Sequence, residues 1–407
     1  MIARSLVTRA ADSLAERYGG ALPPGDARAL AAAADAAVIA VDGPLAGDVR
    51  AALRGAGAVV CDAGREMLVG ASVAQLDAAR AAVPHAGATI DVLRAALRRS
   101  AQKPSPLRLR ARTLDVADEA RVMGIVNVTP DSFYERVSGV DAAVAKTRAM
   151  SAAGASLVDV GGQSYAHWNP RIAAAEERDR VVPAVQAIVD AGIDVAISID
   201  TFKASVADAA LAAGAHLIND CSGLSDPDLA GVVATHGAGL VVMHLKGELN
   251  KRDPQAYVYE DALAEIVAFL HERTERAIAA GVARDAIAID PGLEFGKEPQ
   301  TDLEILERFG ELRALGFPIL FASSRKSFIG RVFDRPAKEL LVPSLATAAI
   351  GISAGARILR VHDVEETVQL ARMMAATAPE RRRALAIAPA MPGTPEAAGN
   401  LERSPAV

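Results

Sequence analysis

The sequence predicts an α/β protein, a (β/α)8 barrel of the TIM type preceded by a small α+β domain. Eight short apolar runs alternate with Ala-rich amphipathic segments between residues 120 and 380, the arithmetic of eight βα units closing on themselves. Each run ends in polar residues, as buried parallel strands do where their carboxyl ends meet a ligand. The runner-up, an open doubly wound sheet, lacks its signature, because no glycine-rich dinucleotide fingerprint follows any run. Residues 1–112, 113–380 and 381–407 are accordingly expected to form an N-terminal α+β domain, the barrel and a disordered tail.

In the first segment, Val38-Ile-Ala-Val41, Ala58-Val-Val-Cys61 and Met67-Leu-Val69 read as strands, and Leu45–Arg54 and Val73–Val83 as helices. That βαββα order suggests a small sandwich. It holds no cluster of Ser, His, Cys or paired carboxylates, so a packing, dimerisation or stability role is expected. Gln102-Lys-Pro-Ser-Pro106 reads as a linker through its prolines and absent periodicity.

The barrel opens on Val122–Val128, nearly continuous, rich in β-branched residues and closed by Asn127, Thr129 and Pro130. The later runs are Leu157–Val160, Ala196–Ile199, His216–Ile218, Leu240–Met243, Ala286–Ile289, Pro318–Phe321 and Arg357–Val361. Helical periodicity marks Val206–Ala213, Tyr259–Ala280, Leu303–Leu315, Pro343–Ala354 and Val364–Ala376 between and after them. Beyond about residue 380 the chain is Pro- and Ala-rich and aperiodic, which reads as disorder.

A composition of 51% hydrophobic and 23% charged residues permits a large core over the 407 residues. The net charge of -6 leaves no basic footprint, and nucleic acid is excluded as a partner. Cys61 and Cys221 lie far apart without metal-ligand spacing, which excludes a disulfide framework and fits a reducing cytoplasm. Arg4, Arg9, Asp12 and Glu16 interrupt the N-terminus, so no signal peptide is read there. No apolar stretch reaches bilayer length, and no membrane partner is expected.

The chemistry is concentrated at the strand ends. In order these are Asn127, Gly161-Gly-Gln-Ser164, Asp200-Thr201, Asn219-Asp220, Met243-His244, Asp290-Pro-Gly292, Ser324-Arg-Lys-Ser327 and Arg360-Val-His-Asp363. Any one of them is a helix cap or a turn at lower cost. Eight together, bringing carboxylates, amides, a lysine, arginines and histidines to one mouth, fit a polar heterocycle with an anionic leaving group. Arg360 and His362, two apart on one strand, share a face and can both meet phosphate oxygens.

Met123-Gly-Ile-Val-Asn-Val-Thr-Pro-Asp-Ser-Phe133, Val158-Asp-Val-Gly-Gly162, Ser198-Ile-Asp-Thr201, Ile218-Asn-Asp220, Asp290-Pro-Gly-Leu-Glu-Phe-Gly-Lys297, Ser324-Arg-Lys-Ser-Phe-Ile-Gly330 and Arg360-Val-His-Asp363 resemble, in order, the motifs of the dihydropteroate synthases. Those enzymes belong to the pterin-binding barrel superfamily. The resemblance implies condensation of 6-hydroxymethyl-7,8-dihydropterin diphosphate with 4-aminobenzoate, giving dihydropteroate and diphosphate. It implies pterin contacts from Asp200, Asn219, Met243, Asp290 and Lys326, and 4-aminobenzoate contacts from Phe295 and Ser327. It further implies diphosphate contacts from Asn127, Arg360 and His362, with Asn127 as a ligand of Mg2+. Lys326, Asp200, Arg360 and His362 would carry catalysis, with carbon–oxygen cleavage preceding attack by the weak amine and no general base. A homodimer is implied as well.

The second loop departs from that family. Where the family has Glu-Ser-Thr-Arg-Pro-Gly, this chain has Gln163-Ser-Tyr-Ala-His-Trp-Asn-Pro170, and an arginine that would meet the leaving group is missing. His167 or Arg171 is a candidate to replace it, and Tyr165 or Trp168 to supply an aromatic wall. The loop after Met243-His-Leu-Lys-Gly247 departs too, and Ala322 stands where a Gly is common. Two other readings stay open on residues alone. One is a pterin-binding paralogue with a changed second substrate or a corrinoid methyltransferase role. The other is a barrel aldolase using Lys326 as a Schiff base.

Overall fold

The computed structural model describes residues 2–6, 14, 17–32, 37–129, 139–165, 169–251 and 257–377. The expected tail after residue 380 lies outside the described residues, as do His167 and Trp168.

The N-terminal segment builds a four-stranded antiparallel sheet from β1 (Ala3–Ser5), β2 (Ala37–Asp42), β3 (Val59–Ala63) and β4 (Glu66–Ala71), in the order β1-β2-β4-β3. Around it lie α1 (Pro24–Ala32), α2 (Gly47–Gly55), α3 (Val73–Ala82) and α4 (Gly87–Ala101). α3 starts with a reciprocal cap: Gln75 N donates to Ser72 Oγ at 3.3 Å and Ser72 N donates to Gln75 Oε1 at 2.8 Å. The βαββα reading holds within this larger unit, to which β1, α1 and α4 are additions. α4 buries Ile90, Leu93 and Ala96, a stripe with the helical repeat.

A tight hairpin follows, β5 (Leu107–Leu109) and β6 (Arg112–Leu114). The expected boundary at residue 112 falls inside its second strand. Leu107, Leu109, Leu114 and Val116 pack on Met123, Leu157, Ala196, Leu217, Val241, Ala288, Leu320 and Ile358, the inward side chains near the strand starts. The hairpin thus stoppers the amino-terminal end of the barrel.

The barrel closes through eight parallel strands, β7 (Arg121–Asn127), β8 (Leu157–Gly161), β9 (Ala196–Asp200), β10 (Leu217–Asp220), β11 (Gly239–Met243), β12 (Ile287–Asp290), β13 (Ile319–Phe321) and β14 (Ala356–Val361). Each strand is found where an apolar run is read, although β10 begins one residue later and extends through Asn219 and Asp220. The outer helices are α5 (Val140–Ala152), α6 (Ala174–Asp190), α7 (Ala204–Ala212), α8 (Leu229–His236), α9 (Ala262–Ala279), α10 (Pro299–Arg308), α11 (Ser327–Phe333), α12 (Leu341–Ala354) and α13 (Val364–Ala376). α6 shows why they dock: Val181, Ala184, Val185 and Ile188 fall on one face and are buried. No helix among the described residues is long and apolar enough to cross a membrane.

The N-terminal sheet is tied to the barrel by charge as well as packing. Arg4, 2% exposed, donates to Glu66 at 2.5 Å and to Glu311, which is fully buried. Arg17 donates to Glu311 at 2.7 Å, and Arg308 to Asp261 at 2.8 Å. Three arginines thus meet four carboxylates, Glu304 paired with Arg308 being the fourth, where the sheet meets α10 and the 3-10 turn Phe309–Leu315 that follows it. Such a cluster is costly to desolvate and costlier to break.

Candidate functional site

Strand register sets the polar residues level with each other. Asn127 lies beside Gly161, Gly161 beside Asp200, and Asp200 beside Asn219, while Met243 lies beside Asp290. A cavity of about 390 Å³ opens above them at the carboxyl ends. Asn127, Tyr165, Asp200, Asn219, Met243, Asp290, Phe295, Lys326, Ser327, Arg360 and His362 all line it. Arg171 is not among the lining residues.

The floor is organised by a residue that strand reading passes over. Asp159, fully buried in the middle of β8, accepts from Ser198 Oγ at 2.6 Å, Asn219 Nδ2 at 2.9 Å and Arg360 Nε at 2.6 Å. Its signal in the sequence is a lone carboxylate inside the apolar run Leu157–Gly161. Arg360 reaches on with Nη2 to Asp200 Oδ2 at 2.8 Å, so its charge is shared between two acids before any ligand arrives. Asn219 has its amide N–H on Asp159, which turns its Oδ1 away from that acid. Asp200 Oδ1 is buried and has no hydrogen-bond partner among the described residues. Burial, opposed by Arg360 and reinforced by Asp159, lifts the Asp200 carboxyl above its ordinary range.

Asp290, 3% exposed, closes another side of the floor. Its Oδ1 accepts from Gly292 N at 2.7 Å, and burial raises its pKa against the pull of Lys326 and that N–H. The turn after it is pressed on the neighbouring loop: Gly292 and Gly296 have φ of +67° and +66°, and a Cβ on either would run into the carbonyls of His244 and Lys246. Glycine alone fits such a left-handed position against another backbone. Lys297, buried, pins the turn by donating to Gly292 O at 2.7 Å and Phe295 O at 2.9 Å, and its Nζ lies 2.9 Å from His244 Nδ1. Burial depresses its pKa. His244 therefore serves the wall from behind, packed edge-on against Phe269 at 4.9 Å. Lys326 Nζ donates to Leu293 O at 2.6 Å and stands 5.2 Å from the Phe295 ring centroid.

At the other end, His362 is pushed down to about 3 by burial and by the nearby Arg360 charge. It is a neutral hydrogen-bonding ring at ordinary pH, not a cation. Arg325, one of the sequence's strand-end arginines, is buried at the cavity wall and donates to Asp363 at 2.7 and 2.8 Å and to the carbonyls of Ala337 and Lys338. Among the described residues no three His, Cys, Asp or Glu side chains gather as a metal cluster.

The two unusual loops meet over the mouth. Tyr165 Oη donates to the Asp200 carbonyl at 3.3 Å and packs against Phe202 with ring centroids 6.0 Å apart. Arg171 donates to Leu249 O at 3.1 Å and lies 5.7 Å from the Phe202 ring centroid.

The model of the family described as pterin binding enzyme matches residues 123–362. Dihydropteroate synthase of Bacillus subtilis is 39% identical over 275 residues, 67% of this chain and 91% of its own length. The Escherichia coli dihydropteroate synthase is 39% identical over 259 residues, 63% of this chain and 91% of its own. Among solved structures, Yersinia pestis dihydropteroate synthase with a sulfonamide drug superposes with a TM-score of 0.65 at 38% identity, covering 67% of this chain and 99% of that one. The Thermus thermophilus enzyme in complex with 4-aminobenzoate gives 0.60 at 35% identity, covering 67% of this chain and 100% of that one.

Proposed function

The chain belongs to the pterin-binding enzyme family and, within it, to the dihydropteroate synthases; on that premise we propose how its own residues condense a pterin diphosphate with 4-aminobenzoate. The observation that carries the reading is the buried Asp200 Oδ1, without a partner among the described residues, in a floor that also holds Asp290 and Asn219. Pterin offers adjacent N–H donors, and three acceptors fixed in the cavity floor match them at little reorganisation cost. Lys326 donates to the ring oxygen and nitrogen, and Met243 packs on the ring face.

The leaving group lies toward Asn127, Arg360 and His362. Arg360 contributes a charge that Asp159 and Asp200 hold in place, and His362 a neutral N–H. Asn127 would hold Mg2+ with one hard oxygen, water and the diphosphate completing the shell, as this ion commonly accepts. Bound there it would neutralise charge on the departing diphosphate. The 4-aminobenzoate ring lies at the rim by Phe295 and Ser327. The carbon–oxygen bond breaks first, its electron pair leaving with diphosphate; the amine nitrogen then bonds to the pterin methylene carbon, and the amine proton passes to solvent. Arg171 and His167 remain candidates for the missing loop arginine, although Arg171 is engaged by Leu249 and Phe202.

The enzyme acts in the cytoplasm in this reading, as a homodimer. Exposed apolar side chains on consecutive helices, Val332 and Phe333 of α11 and Val342 and Ile350 of α12, support a dimer surface there. The 1–112 segment is a stabilising unit, in keeping with the ion cluster that fastens it.

The test is a coupled assay of the purified protein with pterin diphosphate, 4-aminobenzoate and Mg2+, following both dihydropteroate and diphosphate. Turnover that disappears with chelator and returns with Mg2+ supports the scheme. Tight pterin binding without turnover would assign the altered loop to a different second substrate.

A further inference from the structure

The loops that follow β8 and β11 are fastened to each other. Asn250, in the left-handed region at φ +59°, sends Nδ2 to the carbonyls of Ser164 and Asn169, each at 3.0 Å. Its Oδ1 accepts from Gln163 Nε2 at 3.2 Å. Gln163 Oε1 in turn accepts from Lys203 Nζ at 2.7 Å, and Lys203 is held by Glu177 at 2.5 Å and by Ile172 O at 2.9 Å. Glutamine at 163 suits this chain of bonds, since a carboxylate has no N–H to give Asn250. On the cavity side of the same junction, Tyr165 and Leu249 pack with Phe202, Met243 and Phe295, and both line the mouth.

We propose that Asn250 is a positioning residue for the second substrate: it clasps the two loops so that Tyr165 and Leu249 form a fixed wall for the aryl ring of the amine. The proposal rests on the synthase reading for the identity of that amine. Among the described residues neither loop has a regular element to order it between strand and helix, and the Asn250 bonds to Ser164 and Asn169 supply that order in advance. A wall already ordered spares the ligand the entropic cost of assembling it. The pterin floor has bonds of its own through Asp159 and Lys297, and meets the wall only where Tyr165 Oη reaches the Asp200 carbonyl and where Met243 packs on Leu249.

Asn250→Gly removes the side chain and keeps the backbone unstrained, because glycine accepts the left-handed region freely. In steady-state kinetics it is expected to raise KM for 4-aminobenzoate about tenfold, with kcat and the pterin diphosphate KM within about twofold, the scale of lost hydrogen bonds and preorganisation. Gln163→Glu should raise the same KM alone but add nothing in the Asn250→Gly background, since both act through one junction. An unchanged KM in Asn250→Gly, or additive effects in the pair, overturns the proposal, as does an equal loss of pterin affinity. Amide hydrogen exchange of residues 163–165 and 169–173 reads the clasp without turnover. Faster exchange in Asn250→Gly supports it and unchanged exchange refutes it, even if the parent enzyme proves inactive with this amine. Asn250→Asp, which keeps the acceptor and loses both donors, repeats the test should the glycine variant fold poorly.

Discussion

Replacing Asp290 by Asn keeps the size of the side chain and reverses what it offers a bound ring. The orientation of the new amide is set by the structure. Gly292 N–H, now 2.7 Å from Oδ1, needs an acceptor, so the amide oxygen stays with the turn and the NH2 faces the cavity. Pterin donors then meet a donor in a place 3% exposed, where water cannot repair the mismatch. An unsatisfied buried polar group costs about 1–3 kcal/mol, and taking about 2 kcal/mol gives a roughly thirtyfold weaker pterin complex. Titration calorimetry with the bare pterin on parent and Asp290→Asn measures this. It should be run on the alkaline side of neutrality, because burial raises the parent carboxyl and the comparison concerns its ionised form. The melting temperature should hold or rise, because the variant keeps the turn and no longer buries a carboxyl. Affinities within threefold of each other would refute the assignment of Asp290 to the pterin donors.

Two further outcomes are expected. Ligand N–H donors favour ionised Asp200, whose free carboxyl is raised by burial, so binding lowers its pKa and releases a proton. Pterin affinity should therefore climb as pH rises from the ordinary carboxyl range through the raised free value and then level off. Without ligand the sign reverses: the stability tied to protonated Asp200 is present at low pH and lost as pH climbs through that same value. Calorimetry in two buffers of different protonation enthalpy counts the proton, and proton uptake on binding would contradict the scheme. Arg4→Met leaves Glu66 without that arginine and Glu311 with only Arg17 and Arg308, and loss of a partner from a buried ion cluster costs about 3–5 kcal/mol. Urea denaturation should show a loss of that size, and a change below about 1 kcal/mol would remove the cluster as the fastening.

The barrel was legible because parallel strands buried on both faces must be apolar almost throughout, and only their ends are free to be polar. Asn127, Asp200, Asn219, Asp290 and Arg360 announce themselves in that way. Asp159 does not, since a carboxylate in mid-strand has meaning only once three distant donors, from Ser198, Asn219 and Arg360, are known to converge on it. The hairpin Leu107–Leu114 is hidden for a different reason: its strands are three residues each, and its turn uses Arg110 at φ +56° in place of the glycine or asparagine that would have signalled it. Arg4 and Glu311 look like solvated surface charges in a linear reading, because 307 positions separate them and nothing local distinguishes a buried pair from an exposed one.

The leucine stopper closes the cavity from beneath, so among the described residues it is entered from the carboxyl ends of the strands. In such a vessel the order of arrival is fixed by depth. Asp290 and Asn219, the acceptors proposed for the pterin, are buried at the bottom, while Ser327 is exposed at the rim. On the proposed assignment the heterocycle descends before the amine settles above it, and an amine seated first would bar the way. Departure runs in reverse, so the joined product is drawn out aryl end first with the pterin last to let go. A bare pterin left behind would be a lodger that only an empty rim releases.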